Sequence, residues 1–558
     1  MENSKEQEKP GQEINKNKHS MLRQGTSLSI LTLVSRVLGL LREMTKARFM
    51  GTSAVSDAFS VAFMLPNLFR RLFAEGSIAV AFIPTFKEYL IKNDQKENRE
   101  FLSCIFTFLS FFVTLAVMAG VLAAPLLIRL FSLEEINEAI FLTRIMFPYL
   151  AFISIAALFQ GILNSLHIFT PSAIAPIILN IVTILCAYFL RPYIDVSNPD
   201  REIAAARAMA SGVIIGGFLQ AAIQLPAIIK NGQRFFFIGI KRAFTNPGTR
   251  KVLLLIGPTI IGMAAYQLND IVSTAIAGKA GEGVVSSLQY SLRLQELILG
   301  VFAVSIGTIL LPNLAQNAKT ERWDVYNNQL ISAINIIALI TIPITFFSLS
   351  GGFGFTGTGE LKGHGAALIR LLFQRGSFDN VSVARTLWAF RFHIPGLFFI
   401  ALNRIIAPAF YAQSDSKSPT IAGIVSFIVN MALAIILVKQ FKYPGAGIAL
   451  ALSIAALVNT ALLFVFLKKN PNIAVSRAIR SALFYTVKMI VLSALAALPL
   501  HWLSPKLMEI FAGRNRFIAN GIPLLISVLI FLLIGIFLLA ITCDKQLGMI
   551  IQKMRRKN

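Results

Sequence analysis

Residues 27–86 read SLSILTLVSRVLGLLREMTKARFMGTSAVSDAFSVAFMLPNLFRRLFAEGSIAVAFIPTF. The run is apolar enough to enter a bilayer, yet it carries Arg36, Arg42, Glu43, Lys46, Arg48, Asp57, Arg70 and Arg71. A charge at the centre of a lipid-facing helix costs at least ~2.5–3.5 kcal/mol. Several in one span exclude a helix that faces lipid on all sides. The stretch therefore predicts two helices of a membrane bundle whose charged faces line a polar or hydrated interior. Arg36 and Glu43, seven residues apart, share a helical face, and Arg42 and Lys46, four apart, stack on another. Arg48 sits near a helix end, where a long side chain snorkels to the interface. In the second helix Pro66 removes a backbone hydrogen bond, and Gly76 adds a second flexible point. Broken helices inside membrane bundles mark sites or hinges. Glu75, four residues after Arg71, offers that arginine a local partner. Arg70 has none at the favoured spacing and is assigned to the cavity.

The rest of the chain agrees with a bundle. Of 558 residues 55% are hydrophobic and only 14% charged, and mean hydropathy is +0.69. A soluble chain carries about 25% charge, so a soluble enzyme is excluded early. Windows of roughly 20 apolar residues give about fourteen spans: 27–49, 56–86, 101–131, 138–164, 171–191, 205–229, 249–277, 284–315, 328–350, 382–412, 419–438, 445–467, 481–503 and 518–542. The expected fold is an all-α integral membrane protein. Residues 1–26 read as a disordered polar tail and 546–558 as a basic one.

The net charge of +25, from 52 Lys and Arg against 27 Asp and Glu, is spread over short loops. It forms no solvated basic stripe of the kind that binds nucleic acid. Lys230, Arg234, Lys241, Arg242, Arg250 and Lys251, then Lys468, Lys469, Arg477 and Arg480, then the C-terminal cations all fall on one side if the span count is even. The loop 132–138 holds three Glu and no cation. The positive-inside rule then puts both termini in the cytoplasm. The other side keeps some cations: Arg191, Arg201, Lys439, Lys442, Arg514 and Arg516.

An internal repeat is visible. Arg144-Ile-Met-Phe-Pro148 returns as Arg391-Phe-His-Ile-Pro395, Thr170-Pro-Ser172 as Ser418-Pro-Thr420, and Ala81-Phe-Ile-Pro84 as Ile309-Leu-Leu-Pro312. The spacing between copies grows along the chain, which implies an insertion in the second. The Gly-rich 351–366 is the candidate. Two parallel six-helix lobes follow, 27–232 and 248–470, with a last helix pair in 478–545. Such repeats are a transporter architecture with the site at the repeat interface.

Two more spans carry polar groups. Arg293 and Glu296, three apart, form either a structural pair or a cavity cation with a neighbour. Asn269-Asp270 in the seventh span and Ser426 with Asn430 in the eleventh offer oxygen ligands for Na⁺, or a proton site at Asp270. Arginines on several helices suit a phosphate or pyrophosphate, because guanidinium stays charged and offers forked donors. No Walker A motif, zinc spacing or nucleophile–base pair is present, so an enzyme is not expected. The three cysteines read as small buried hydrophobes.

The segment Ser35–Phe86 resembles the signature of the MurJ (MviN) lipid II flippases of the multidrug/oligosaccharidyl-lipid/polysaccharide exporter superfamily. GPTIIG (257–262), YSLRLQELILGVFAVSIGTILLP (290–312), LFQRGSF (372–378) and APAFYAQSDSKSPT (407–420) add to it. The resemblance implies fourteen helices, with a C-terminal pair forming a lipid-accessible groove. It implies outward movement of lipid II, the polyprenyl-pyrophosphate-linked precursor of peptidoglycan, across the cell (inner) membrane by alternating access. It places essential cavity residues at Arg36, Arg42, Asp57, Arg70 and Arg293, with Glu43 where the family usually has Asp. Asp270 matches a Na⁺ ligand of some members by position, and Asn430 matches more loosely. No cofactor is expected beyond a coupling Na⁺ or H⁺, and a monomer among membrane lipids is expected. A flippase for another polyprenyl-linked sugar shares the pyrophosphate and stays open. A cation-coupled drug antiporter would favour carboxylates in its cavity.

Overall fold

A computed structural model describes residues 10–71, 77–92, 94–194, 201–350 and 363–555. Among them there are helices and no strands. In chain order they are α1 (Pro10–Met50), α2 (Ala54–Arg70), α3 (Ser77–Lys92), α4 (Gln95–Arg129), α5 (Ile136–Met146), α6 (Tyr149–Ser165), α7 (Thr170–Leu185), α8 (Arg201–Ala222), α9 (Leu225–Lys230), α10 (Ile240–Thr245), α11 (Pro247–Lys279) and α12 (Val284–Lys319). The second half holds α13 (Trp323–Leu349), α14 (His364–Phe373), α15 (Asn380–Tyr411), α16 (Lys417–Leu437), α17 (Pro444–Leu467), α18 (Val475–Ile510), α19 (Ile522–Ile541) and α20 (Lys545–Arg555).

Ten helical stretches among the described residues are long and apolar enough to cross a membrane. The other four expected spans coincide with α1, with α2 and α3 together, with α11 and with α12. One expected boundary moves. The first helix begins at Pro10, inside the expected disordered tail, because a Lys-, Glu- and Gln-rich run propagates a helix already nucleated by the apolar segment. The basic C-terminal tail is likewise helical through Arg555. Gly76 and most of the 351–366 insertion lie outside the described residues.

The chain groups into two compact units, 1–45 with 61–128 and 137–264, and 46–60 with 129–136 and 265–558. The first half of α11 belongs to the first unit, where Val252 joins the core of Phe82, Phe86, Phe101, Leu158 and Phe159. Phe101 stacks on Tyr89 with centroids 4.4 Å apart. Conversely, the α1–α2 turn (46–60) belongs to the second unit, for reasons given below.

In the second unit α15 packs against α12, α13 and α17. Pro395 removes an N–H from its middle. The carbonyls of Phe392, His393 and Ile394 accept hydrogen bonds from Ser453 of α17 (2.5 Å), Gln295 of α12 (2.6 Å) and Thr345 of α13 (3.2 Å). Side chains from neighbouring helices thus add donors to the carbonyls beside the proline, and α15 runs unbroken from Asn380 to Tyr411. The matching sequence in the first unit behaves differently: α5 ends at Met146, and Pro148 caps the separate α6.

The last pair, α18 and α19, seats Ala496, Leu500 and Phe531 against Phe347 of α13. Its outer faces leave Leu483, Phe484, Val487, Leu525, Leu533 and Phe537 exposed, as expected where lipid rather than water is the solvent.

Candidate substrate site

The first unit carries Arg36, Arg42 and Arg70. Arg42 donates from Nη2 to Glu43 Oε1 at 2.9 Å, and both side chains are only about one-sixth exposed, 16% and 17%. The guanidinium also lies 5.2 Å from the centre of the Phe63 ring, so α2 holds the arginine by cation–π attraction while Glu43 offsets part of its charge. Arg36, nearly two turns earlier, is half-buried and has no hydrogen-bond or ion-pair partner among the described residues. Arg70 donates from Nε to Asn67 Oδ1 at 2.8 Å, a partner three residues back that a search for carboxylates alone passes over. Helix α2 continues through Pro66 to Arg70.

The second unit carries Asp57 and Arg293. Asp57 was expected to face the cavity. Instead it is 3% exposed, with its two carboxylate oxygens accepting the backbone N–H groups of Gly283 (2.8 Å) and Ser286 (2.7 Å). These are orphan donors at the positive end of α12, which has no side-chain cap of its own. An anion is favoured there by the helix dipole and by charge-assisted bonding. Asp57 therefore ties α2 to α12.

A dense seam surrounds it. Buried Lys46 donates from Nζ to Ser60 Oγ and to Gln289 Oε1 (3.2 Å), with its ammonium 4.9 Å from the centre of the Tyr290 ring. Tyr290 donates its hydroxyl to Gly51 O at 3.1 Å. Arg385 of α15 donates to Thr52 O at 2.7 Å, and the Thr52 and Ser382 hydroxyls bond at 2.9 Å. Ser377 donates from its N–H to Arg48 O at 2.9 Å. Two glycines make this approach possible. Gly283 and Gly376 have φ of +76° and +57°, and a Cβ on either would overlap the backbone oxygen of Thr52 or Arg48. The sequence marked Lys46 only as one more charge in span 1. Its burial follows from α12 and α15, which no local pattern reports.

Arg293 lies on α12. Its Nη1 donates to Glu296 Oε2 at 3.2 Å, with the two side chains 30% and 53% exposed. Its Nε is buried and has no partner. The intrahelical pair is thus formed but uses only part of the guanidinium's donor set.

The seventh and eleventh spans do meet. Asn430 of α16, 2% exposed, donates from Nδ2 to Asn269 Oδ1 (2.8 Å) and Ser273 Oγ (2.9 Å) of α11. Asp270 is exposed. A Na⁺ site needs oxygens converging on one point. Here the amide nitrogen of Asn430 faces the two oxygens, as in a hydrogen-bonded helix contact, while its Oδ1 is buried without a partner. No group of three His, Cys, Asp or Glu among the described residues is placed to hold a metal.

A family model described as "Lipid II flippase MurJ" matches residues 46–519. The chain belongs to the MurJ family. It is 42% identical to a probable lipid II flippase MurJ of Treponema pallidum, covering 95% of this chain and 97% of that one. It is 33% identical to the lipid II flippase MurJ of Burkholderia cenocepacia, covering 80% and 83%. Among solved structures it is similar to a lipid II flippase MurJ in an inward closed conformation, with a TM-score of 0.71, 25% identity and coverage of 92% and 98%. An inward-facing multidrug resistance MATE transporter of the MOP superfamily shares the fold, with a TM-score of 0.62 at 14% identity and coverage of 81% and 99%. This MurJ-family chain is thus a multi-pass membrane protein.

Proposed function

We propose that this chain is a lipid II flippase, carrying the lipid-linked peptidoglycan precursor from the cytoplasmic to the outer leaflet by alternating access. The observation that carries the reading is Arg293 on α12, whose buried Nε is left without an acceptor. A fixed cation with spare forked donors suits a pyrophosphate; within the first unit, Arg36, with no partner among the described residues, and Arg42, held by Phe63 and Glu43, are cations of the same kind. Near-full-length likeness to proteins called lipid II flippases supports the substrate assignment.

In this reading both termini are cytoplasmic, and the seam at Met50–Asp57 lies on the outer side. Asp57 and Lys46 hold the ends of α1 and α2 against α12, and separating them opens that side. Release of the headgroup outward then requires breaking two charge-assisted bonds at Asp57 and the contacts of Lys46, each modest and reversible. The exposed apolar faces of α18 and α19 accommodate the polyprenyl chain, which has no need to enter a polar interior.

The test is depletion in a host whose growth depends on this chain, followed by measurement of lipid II in each leaflet. Lipid II is expected to accumulate on the cytoplasmic side, and a known MurJ is expected to restore it. Restoration only by a flippase for another polyprenyl-linked sugar would replace the substrate assignment. Full activity of both Arg42→Ala and Arg293→Ala would remove the arginines from the site.

A further inference from the structure

The turn between α16 and α17, Val438-Lys-Gln-Phe-Lys-Tyr-Pro444, puts two lysines on the side that the positive-inside rule leaves poor in cations. The structure shows what surrounds them. Lys442 Nζ lies 5.7 Å from the centre of the Tyr443 ring. Tyr443 packs on Trp388 of α15 with centroids 6.1 Å apart. On Trp388 lies the guanidinium of Arg391, 5.6 Å from its ring. Phe392 and Phe441, 5.0 Å apart, back the group. The order is cation, aromatic, aromatic, cation, and Lys439, in the same turn, is exposed.

Among the described residues no carboxylate pairs with this patch. There is no Asp or Glu between Asp379 and Asp415, or between Asp415 and Glu509. Among the described residues Arg391, Lys439 and Lys442 make no ion pair. Asp379, which caps α15, and Glu282, just before α12, pair with none of them. The Trp388 indole N–H and the Tyr443 hydroxyl have no hydrogen-bond partner there either. The surface thus offers donors and positive charge and no carboxylate.

Its level is fixed by its neighbours. Ile435 and Ile436, one turn before Lys439 on α16, are 56% and 59% exposed, as lipid-facing side chains are. The cations follow directly, with aromatic rings whose apolar bodies and polar edges suit the bilayer boundary. That is the depth of lipid phosphates.

We propose that Arg391, Lys439 and Lys442, backed by Trp388 and Tyr443, form a binding site for the headgroup phosphate of an anionic phospholipid. Arg391 supplies forked donors to the phosphate oxygens, the lysines supply charge, and the indole N–H adds a neutral donor. The acyl chains lie along the exposed isoleucines of α16. The site is separate from the arginines assigned to the transported lipid and does not depend on that assignment.

The chain has three tryptophans, so Trp323→Phe with Trp502→Phe leaves Trp388 as the single fluorophore. The full chain is placed in phosphatidylcholine nanodiscs containing a minor fraction of brominated phosphatidylglycerol or, in a parallel sample, brominated phosphatidylcholine. Stronger quenching by the phosphatidylglycerol is expected at equal mole fraction. Arg391→Gln and Lys442→Gln should each weaken that preference roughly fivefold, while Arg391→Lys and Lys442→Arg retain most of it. An unchanged emission maximum without brominated lipid reports that each variant is folded. Equal quenching by the two lipids, or a preference unmoved by either glutamine variant, overturns the site. Loss of the preference on adding an equimolar amount of undecaprenyl pyrophosphate reassigns the patch to the transported lipid and overturns the phospholipid proposal.

Discussion

The carboxylate of Asp57 accepts the backbone N–H of Ser286 at 2.7 Å, across 229 residues of sequence. With the second bond from Gly283 it closes the amino end of α12 from another helix. A hydrogen bond to a charged group contributes about 1.5–3 kcal/mol. Asp57→Ala is therefore expected to lower stability by about 2–4 kcal/mol, after allowing for water entering the gap, and Asp57→Asn by less, since one oxygen still accepts. Thermal unfolding in detergent checks the order. An alanine variant as stable as the parent would show that the cap contributes nothing.

Arg293 and Glu296 separate a stability role from a functional one. Their ion pair is partly exposed, and such pairs are worth 0 to about 1 kcal/mol. Glu296→Gln and Arg293→Ala should thus unfold within a few degrees of the parent. Transport should differ: Arg293→Ala is expected to lose it, and Glu296→Gln to keep most of it. Equal loss in both variants would assign the function to the pair and not to the cation.

His364, on α14 outside the membrane-crossing helices, is 1% exposed. Its ring nitrogens bond to the hydroxyls of Ser350 (3.0 Å) and Ser504 (2.8 Å), and Phe347 stacks on it at 4.4 Å. Burial holds its pKa down at about 4, below the ordinary 6.5. Between those values the unfolded chain takes up a proton that the folded chain refuses. Stability should therefore fall by up to about 3 kcal/mol as pH drops from 6.5 to 4 and level off below that. Unfolding measured across this range should lose that component in His364→Gln. The same slope in both proteins would place the titration elsewhere.

Asn430 gives a prediction for cations. Its amide N–H₂ already occupies the oxygens of Asn269 and Ser273. Replacing Na⁺ by K⁺ at constant ionic strength should leave the melting temperature unchanged. A Na⁺-specific increase abolished by Asn430→Ala would require the amide to turn and the site to be rebuilt around a cation.

The repeat Arg144–Pro148 and Arg391–Pro395 shows how far sequence reaches. Both segments read as helix with a central proline, and both lie in membrane crossings. One breaks into α5 and α6 and the other stays whole. Only the unbroken copy has its carbonyls next to the proline bonded by Gln295, Thr345 and Ser453, which lie on three other helices and have no special pattern in their own segments.

Composition, the charged first hundred residues and the motifs further along pointed to the class of protein, its helices, a repeat and the arginines worth testing. These follow from local quantities: a bilayer sets helix length, and a charge in lipid carries a cost readable residue by residue. Only the tertiary structure decided what each charge does. Asp57 accepts the end donors of α12, and Lys46 is a buried seam residue. Lys439 and Lys442 joined Arg391 in one patch. Hydrogen bonds and screening act over a few ångströms, so the partner of a buried charge is set by which distant segments the fold brings that close.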